Sequence, residues 1–317
     1  MNQPGLAVSG EEYFVRKACP CCGAPSAQAT PVVSSDPPAE TLTFTQHTGF
    51  MSGYGARRVF FTYARCGICD LLFCPTFYGH EQIERLYGRQ AENMAEAPLS
   101  VREKTQERYA RLLLEHSRLE GGFLEIGADI GIFAQACTAA GRFDHAWLYE
   151  PNRDVHGELA RRLAGQRHSL HIEMWPTDNV PAGSVSTAAM IHVLDHLLEP
   201  VAFLGKLWGK LEDNGVVLVV THNASSLLAR ALGRRWPPFA LQHPQLYSPK
   251  SITKLFERSG FSVVKIDQAV NYFPLVYLMR AGLSILGLPP VLPQSGRPII
   301  PVKLGNMAVV VRKRAAA

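Results

Sequence analysis

Residues 124–133 read LEIGADIGIF. Leu124 and Ile126 flank an acid, Glu125, and Asp129 stands between Gly127 and Gly131. An apolar run that stops in a glycine-bearing turn and reopens as a helix brings a strand end and backbone N–H groups close to a ligand. The glycines remove side chains where that ligand passes. Asp129 holds a place where another glycine often stands, and Asp tolerates the left-handed backbone such a turn can require. An acid inside a strand, as at Glu125, is costly unless it serves a turn or a ligand. One such turn is a weak signal by itself, so its neighbours decide the reading.

Working outward, Ala146–Tyr149 (AWLY) reads as the next strand and ends in Glu150-Pro151-Asn152. An acid at the tip of a second strand is placed to accept hydrogen bonds from both hydroxyls of a ribose. SLHIE, STAAMIHV, VVLVVT, FSVVKID and NMAVVVRKR supply five further strands. Helices are expected over 131–140, 153–164, 201–211 and 249–259, the last opened by Ser248-Pro249 and stopped by Gly260. Alternation of buried strands with helices predicts an α/β fold with a parallel sheet covered on both faces. The last two strands lack a regular crossover, which predicts one antiparallel strand. Ahead of the sheet, Ser100–Leu119 has helical spacing and a Ser100/Glu103 capping box.

The chain has 317 residues, 47% hydrophobic and 19% charged, which is globular composition. We divide it into an N-terminal module (1–90), a linking helix (91–120) and a large domain (121–317) with an apolar insertion at 271–304. The net charge of +5 is scattered over separate arginine pairs, and a nucleic-acid binder usually concentrates its charge. The first residues show no basic n-region or apolar core, and no apolar run reaches transmembrane length. A cytoplasmic location is the expectation. Seven cysteines then point to metal or chemistry before disulfides. Cys19–Cys22 and Cys66–Cys69 are two CxxC pairs, whose four thiolates suit Zn2+. Cys21 and Cys74 are spare thiols, either of which could replace an assigned ligand; Cys137 reads as core.

Over about 122–268 the chain resembles the class I S-adenosylmethionine-dependent methyltransferases. LEIGADIG is similar to their first motif and YEPN to their ribose-binding turn. GSVSTAAMIHVLDHLLEPVAFL, LEDNGVVLVV and QHPQLYSPKSITKLFERSGF resemble the fourth-strand, fifth-strand and later EH-x4-SP segments. The resemblance implies a Rossmann-like seven-stranded sheet of order 3-2-1-4-5-7-6, with strand 7 antiparallel. It implies S-adenosyl-L-methionine as cofactor, its methionine part against Glu125, Gly127, Ala128, Asp129 and Gly131, its ribose on Glu150 beside Pro151, and its adenine near Trp175. At that last turn MWPTDN lacks a clear Asp at the usual position. The cysteine-rich N-terminus resembles the zinc-binding domain attached to methyltransferases of bacterial sugar and natural-product pathways.

Methyl transfer to a hydroxyl or a carbon acid needs alignment and a base, and histidine suits a base at neutral pH. His243 is the first candidate, with His196 and His192 behind it; His192 also falls beside the expected methyl group. The acceptor class predicted is a small hydroxylated metabolite, a nucleotide-linked or glycan sugar. An RNA methyltransferase whose zinc module grips RNA, and a non-catalytic partner that keeps the fold, are the competing readings. The insertion reads as a lid, a dimer surface or a membrane-touching patch; its start beside the pocket favours the lid, with Tyr272 and Phe273 lining the acceptor site. It is apolar enough to require packing on something.

Overall fold

The computed structural model describes residues 13–50, 58–87, 97–173, 179–285, 287–289, 291–293 and 296–315. The N-terminal part carries the short strands β1 (Phe14–Val15), β2 (Ala29–Val33), β3 (Tyr63–Cys66), β4 (Leu72–Phe73) and β5 (Thr76–Phe77), then helices α1 (His80–Tyr87) and α2 (Leu99–Leu114). β2, β3 and β4 form an antiparallel ladder, and β1 pairs with β5. α2 differs from expectation at both ends. Its N-cap is Pro98, with no side-chain cap bond, and the N–H groups of Val101 and Arg102 reach the Pro98 carbonyl. Ser100 is therefore already inside the helix, and Glu103 pairs with Arg162 instead. The helix stops at Leu114, ahead of a left-handed residue at Leu119.

The large domain continues with β6 (Glu120–Ile126), α3 (Ile132–Ala140), β7 (Arg142–Tyr149), α4 (His156–Arg162), β8 (His168–His171), β9 (Val185–Ile191), α5 (Pro200–Lys210) and β10 (Leu211–His222). It closes with α6 (Leu227–Leu232), β11 (Gln245–Leu246), α7 (Pro249–Arg258), β12 (Phe261–Gln268), β13 (Asn271–Pro274), α8 (Leu275–Ile285), β14 (Ile299–Val302) and β15 (Asn306–Lys313). Seven strands form one sheet in the order β12-β15-β10-β9-β6-β7-β8. β15 runs antiparallel to both neighbours, while β10, β9, β6, β7 and β8 are mutually parallel. All seven residues of β9 are buried, as a central strand covered on both faces requires. Full burial of side chains such as Ile and Val stabilises by about 1.5–3 kcal/mol each. α7 starts as read: Ser248 and Ser251 form a reciprocal capping box with Pro249 in the first turn, worth about 1 kcal/mol.

Two features position the site. First, β11 adds to β4 at the edge of the N-terminal ladder, so residues 245–246 are held by the cysteine-rich module. One buried core runs from Cys19, Cys21, Cys66 and Cys69 through Tyr247, Ile252 and Leu255 to the sheet strands. Second, the insertion is a β13–β14 hairpin carrying α8. Its packing is partial: the residues of α8 are half-buried except Leu275 and Met279, which are exposed, and none is fully buried. No helix among the described residues is long and apolar enough to cross a membrane.

Candidate active site

The turn after β6 is built by backbone conformation. Gly127, Asp129 and Gly131 all have positive φ, at 75°, 49° and 81°, so Asp129 takes the left-handed form its residue type tolerates. The expected outward N–H groups are engaged within the protein. Gly127 and Ala128 both donate to the Tyr149 carbonyl at the end of β7, Asp129 donates to Glu150 Oε2, and Gly131 donates to the Ala128 carbonyl. A Cβ at Gly127 would fall 2.6 Å from Val193 Cγ2, and one at Gly131 would fall 2.5 Å from Leu159 Cδ1. The glycines thus let the turn nest against the β9 loop and α4. The turn offers a ligand space more than donors.

That space is a cavity lined by Glu125, Gly127, Ala128, Asp129, Ile191 and Tyr272, with Arg102, Thr105 and Gln106 of α2 as its far wall. The sequence reading missed these three α2 residues, having taken the helix for a link. The signal available was the four-residue spacing of Arg102 and Gln106, and of Val101 and Thr105, on a helix directly preceding β6. The Thr105 hydroxyl also accepts the Tyr272 N–H at 2.9 Å, and Tyr109 Oη donates to Asn271 Oδ1 at 2.6 Å. The start of the insertion is therefore locked to α2 beside the turn. Tyr272 lines this cavity, whereas the buried Phe273 stacks on Tyr277.

Glu125 Oε2 and Gln106 Oε1, on residues that border this cavity, are buried without a hydrogen-bond partner among the described residues. Burial, with Asp129 and Glu150 nearby, pushes the Glu125 carboxyl well above its ordinary range. An unsatisfied buried acid beside a glycine turn fits a ligand bearing a positive group, as the sulfonium and ammonium of S-adenosylmethionine would supply.

Glu150 closes the tip of β7 and is 8% exposed. Its Oε2 accepts the Asp129 N–H and its Oε1 the Asn152 N–H, both at 2.8 Å. Burial raises its pKa, and these two bonds oppose the rise. A carboxylate has about four acceptor sites, so two remain for ribose hydroxyls. Pro151 follows in the same turn. Trp175 lies outside the described residues.

The histidines converge at the carboxyl ends of β9 and β10. His192, itself at φ +55°, has its ring centroid 4.9 Å from that of His222, and His243 lies 5.0 Å from His222 and 4.6 Å from His196. In their midst is Asp195, fully buried. Burial would raise its pKa, but the imidazoles around it, His222 foremost, hold it below the carboxylate range. Burial keeps His192 neutral, lowered to about 4, and likewise lowers His196 and His243. His243 Nδ1 faces the Pro238 carbonyl at 2.8 Å, which fixes the proton on Nδ1 and the lone pair on Nε2. Gln245 and Arg16, both buried, brace this loop: Arg16 donates to Gln245 Oε1 and to the Leu198 carbonyl, and the Gln245 amide donates to the Leu194 and Leu197 carbonyls. Asp195 was not among the expected residues, and the convergence of His222 on it depends on the pairing of β10 with β9 and on the short turn after β9.

Cys19, Cys22, Cys66 and Cys69 bring their sulfurs within 4.8 Å of one another, with Cys19–Cys69 at 3.6 Å and Cys22–Cys66 at 3.5 Å. Four thiolates about 2.3 Å from a shared tetrahedral Zn2+ would lie close to these separations, so the donor set fits zinc. The spare thiols point elsewhere: Cys21 to the Ser251 carbonyl and Cys74 to the His243 carbonyl. Cys137 is buried in the core under α3.

A family model described as a methyltransferase domain matches residues 101–266, more than half of the chain. No curated protein matches it. Among solved structures, a SAM-dependent methyltransferase from Leishmania major aligns with TM-score 0.45 and 15% identity, over 67% of this chain and 72% of that one. The 1,6-didemethyltoxoflavin-N1-methyltransferase of Burkholderia thailandensis, with S-adenosylhomocysteine bound, aligns at 0.46 and 13%, over 67% and 79%. A SAM-dependent methyltransferase from Aquifex aeolicus aligns at 0.46 and 11%, over 74% and 98%.

Proposed function

The chain belongs to the methyltransferase-domain family and is an S-adenosylmethionine-dependent enzyme, and from that premise we propose that its acceptor is a small hydroxylated metabolite of the nucleotide-linked or glycan sugar class. The observation that carries this reading is the nest of imidazoles around Asp195, directly after Ile191 of the cavity wall. Such a nest binds and deprotonates polar acceptors.

When bound, S-adenosylmethionine supplies an electrophilic methyl group whose leaving group is a neutral thioether. Glu125, Asp129 and the turn from Gly127 to Gly131 hold its methionine part, and Glu150 holds its ribose. His243 is the base: with Nδ1–H donating to Pro238, its Nε2 accepts the acceptor's proton. His196 and His192 orient the acceptor. Neither a carbon nor an oxygen acceptor atom requires a different arrangement.

Zinc on Cys19, Cys22, Cys66 and Cys69 is the second part of the proposal. Its role is structural. Arg258 of α7 donates to the Cys21 carbonyl, and β11 pairs with β4, so the knuckles clamp the segment bearing His243. The test is methyl incorporation from isotope-labelled S-adenosylmethionine into a panel of nucleotide-linked sugars. The expected result is a methylated sugar released as a small molecule. Label entering only RNA, in a salt-sensitive manner, would overturn the acceptor class.

A further inference from the structure

Asp195 is 0% exposed, and neither of its carboxylate oxygens accepts a hydrogen bond among the described residues. A buried carboxylate in a folded protein is paired or coordinates a cation. The nearest paired nitrogen is His222 Nε2, 3.6 Å from Oδ2. That is too long for an N–H···O bond, which falls at roughly 2.7–3.2 Å. It is close to the spacing of two ligands each about 2.1 Å from a shared ion at a tetrahedral angle.

We propose that Asp195, His222 and His192 form a second metal site, for a divalent transition-metal ion, at the carboxyl ends of β9 and β10. Their ligand atoms lie within 4.8 Å of one another. His222 Nδ1 donates to Asn306 Oδ1 at 2.9 Å, which leaves Nε2 as the nitrogen facing Asp195. A hydrogen bond on the far nitrogen is the usual way a metal-binding imidazole is oriented. Asn306 Nδ2 stands 3.4 Å from His192 Nε2, longer than a firm hydrogen bond, so the amide does not commit that lone pair and it stays open to an ion. His192 holds its left-handed backbone while its N–H is bonded to the Val220 carbonyl at 2.8 Å. Two imidazoles and one carboxylate suit a first-row transition ion better than Mg2+ or Ca2+. Three protein ligands leave a coordination position open for an acceptor oxygen or water. His222, with its side chain 20% exposed, gives the ion a path. A second triad, Asp195, His196 and His243, shares the carboxylate but lacks His222. This site is independent of the acceptor's identity and differs from the cysteine cluster in having no sulfur.

Untagged full-length protein with its four-cysteine metal left in place, dialysed only enough to remove loosely held ions and then titrated with Co2+, tests it. A sulfur-ligated equivalent shows intense thiolate-to-cobalt charge transfer, and a nitrogen- and oxygen-ligated one does not. The expected result is one equivalent without charge transfer, lost in His222→Ala and weakened about 10–100-fold in Asn306→Ala, which removes only the outer support. Circular dichroism of each variant checks that the fold persists. If the wild type binds no equivalent without charge transfer, or if folded His222→Ala keeps it at full affinity, the site does not exist.

Discussion

Replacing Glu150 with Ala separates the bracing role seen in the structure from the ribose-holding role proposed for the same carboxylate. In the free protein it accepts the Asp129 and Asn152 N–H groups, both at 2.8 Å. Hydrogen bonds to a charged group contribute about 1.5–3 kcal/mol each. Losing both, offset in part by relief of a buried charge, should cost about 3 kcal/mol. For a chain of this size that lowers Tm by roughly 6–12 °C, at 2–4 °C per kcal/mol. In the proposed complex the same carboxylate accepts the ribose hydroxyls, so cofactor affinity should fall by a further 1.5–3 kcal/mol, about 10–150-fold in Kd. Calorimetric titration with S-adenosylhomocysteine below the lowered Tm reads the second effect, and a thermal melt reads the first. Glu150→Gln keeps one acceptor oxygen but turns a donor toward a backbone N–H, and should fall between. The pH dependence has a defined sign. The Glu150 pKa is raised and only the ionised form accepts both hydroxyls, so affinity weakens as pH falls through a midpoint above the ordinary value near 4.3. If Tm drops in Glu150→Ala while Kd is unchanged, Glu150 braces the turn and does not hold ribose.

Other outcomes follow from the same geometry. Elemental analysis should find zinc at the four-cysteine cluster, and Cys66→Ser should lose it together with the N-terminal fold, because a structural metal contributes folding free energy; full stability without zinc would contradict this. His243→Ala should lower kcat by roughly 10²-fold. Its depressed pKa keeps the base neutral at neutral pH, so activity should be lost only as pH falls below the ordinary histidine value near 6.5; a change in KM alone would make it a positioning residue. Pro274 and Ile299 are directly paired across the hairpin. Replacing 275–298 with a two-residue turn should therefore leave cofactor binding intact and abolish transfer; normal turnover with a change of oligomeric state would make α8 an interface.

The sheet was legible because its strands are short apolar runs whose burial is decided locally. Val216–Val220 and Met307–Val311 could hardly be anything else. The conformation of the turn after β6 was legible because Gly127, Asp129 and Gly131 are the residue types that positive φ selects. The turn's internal hydrogen bonds were not, since they depend on where Tyr149 and Glu150 lie after β7 pairs with β6. The α2 wall escaped notice because Arg102 and Gln106 look like a solvated face until Tyr272, far along the chain, closes over them. Likewise, a two-residue strand such as β11 carries no periodicity, and only its partner β4 reveals that the cysteine module holds the His243 segment. The histidines were visible as residue types; their common focus on Asp195 is a property of the fold.

In the proposed enzyme the cavity between α2 and the β6 turn receives the methyl donor. A crystal structure of the full chain saturated with S-adenosylhomocysteine tests this. The expected density places the ligand's amino group against Glu125, its thioether near Gly127 and His192, and its ribose hydroxyls on Glu150. Ligand density elsewhere on the chain, or none at saturating concentration with this cavity intact, would contradict it.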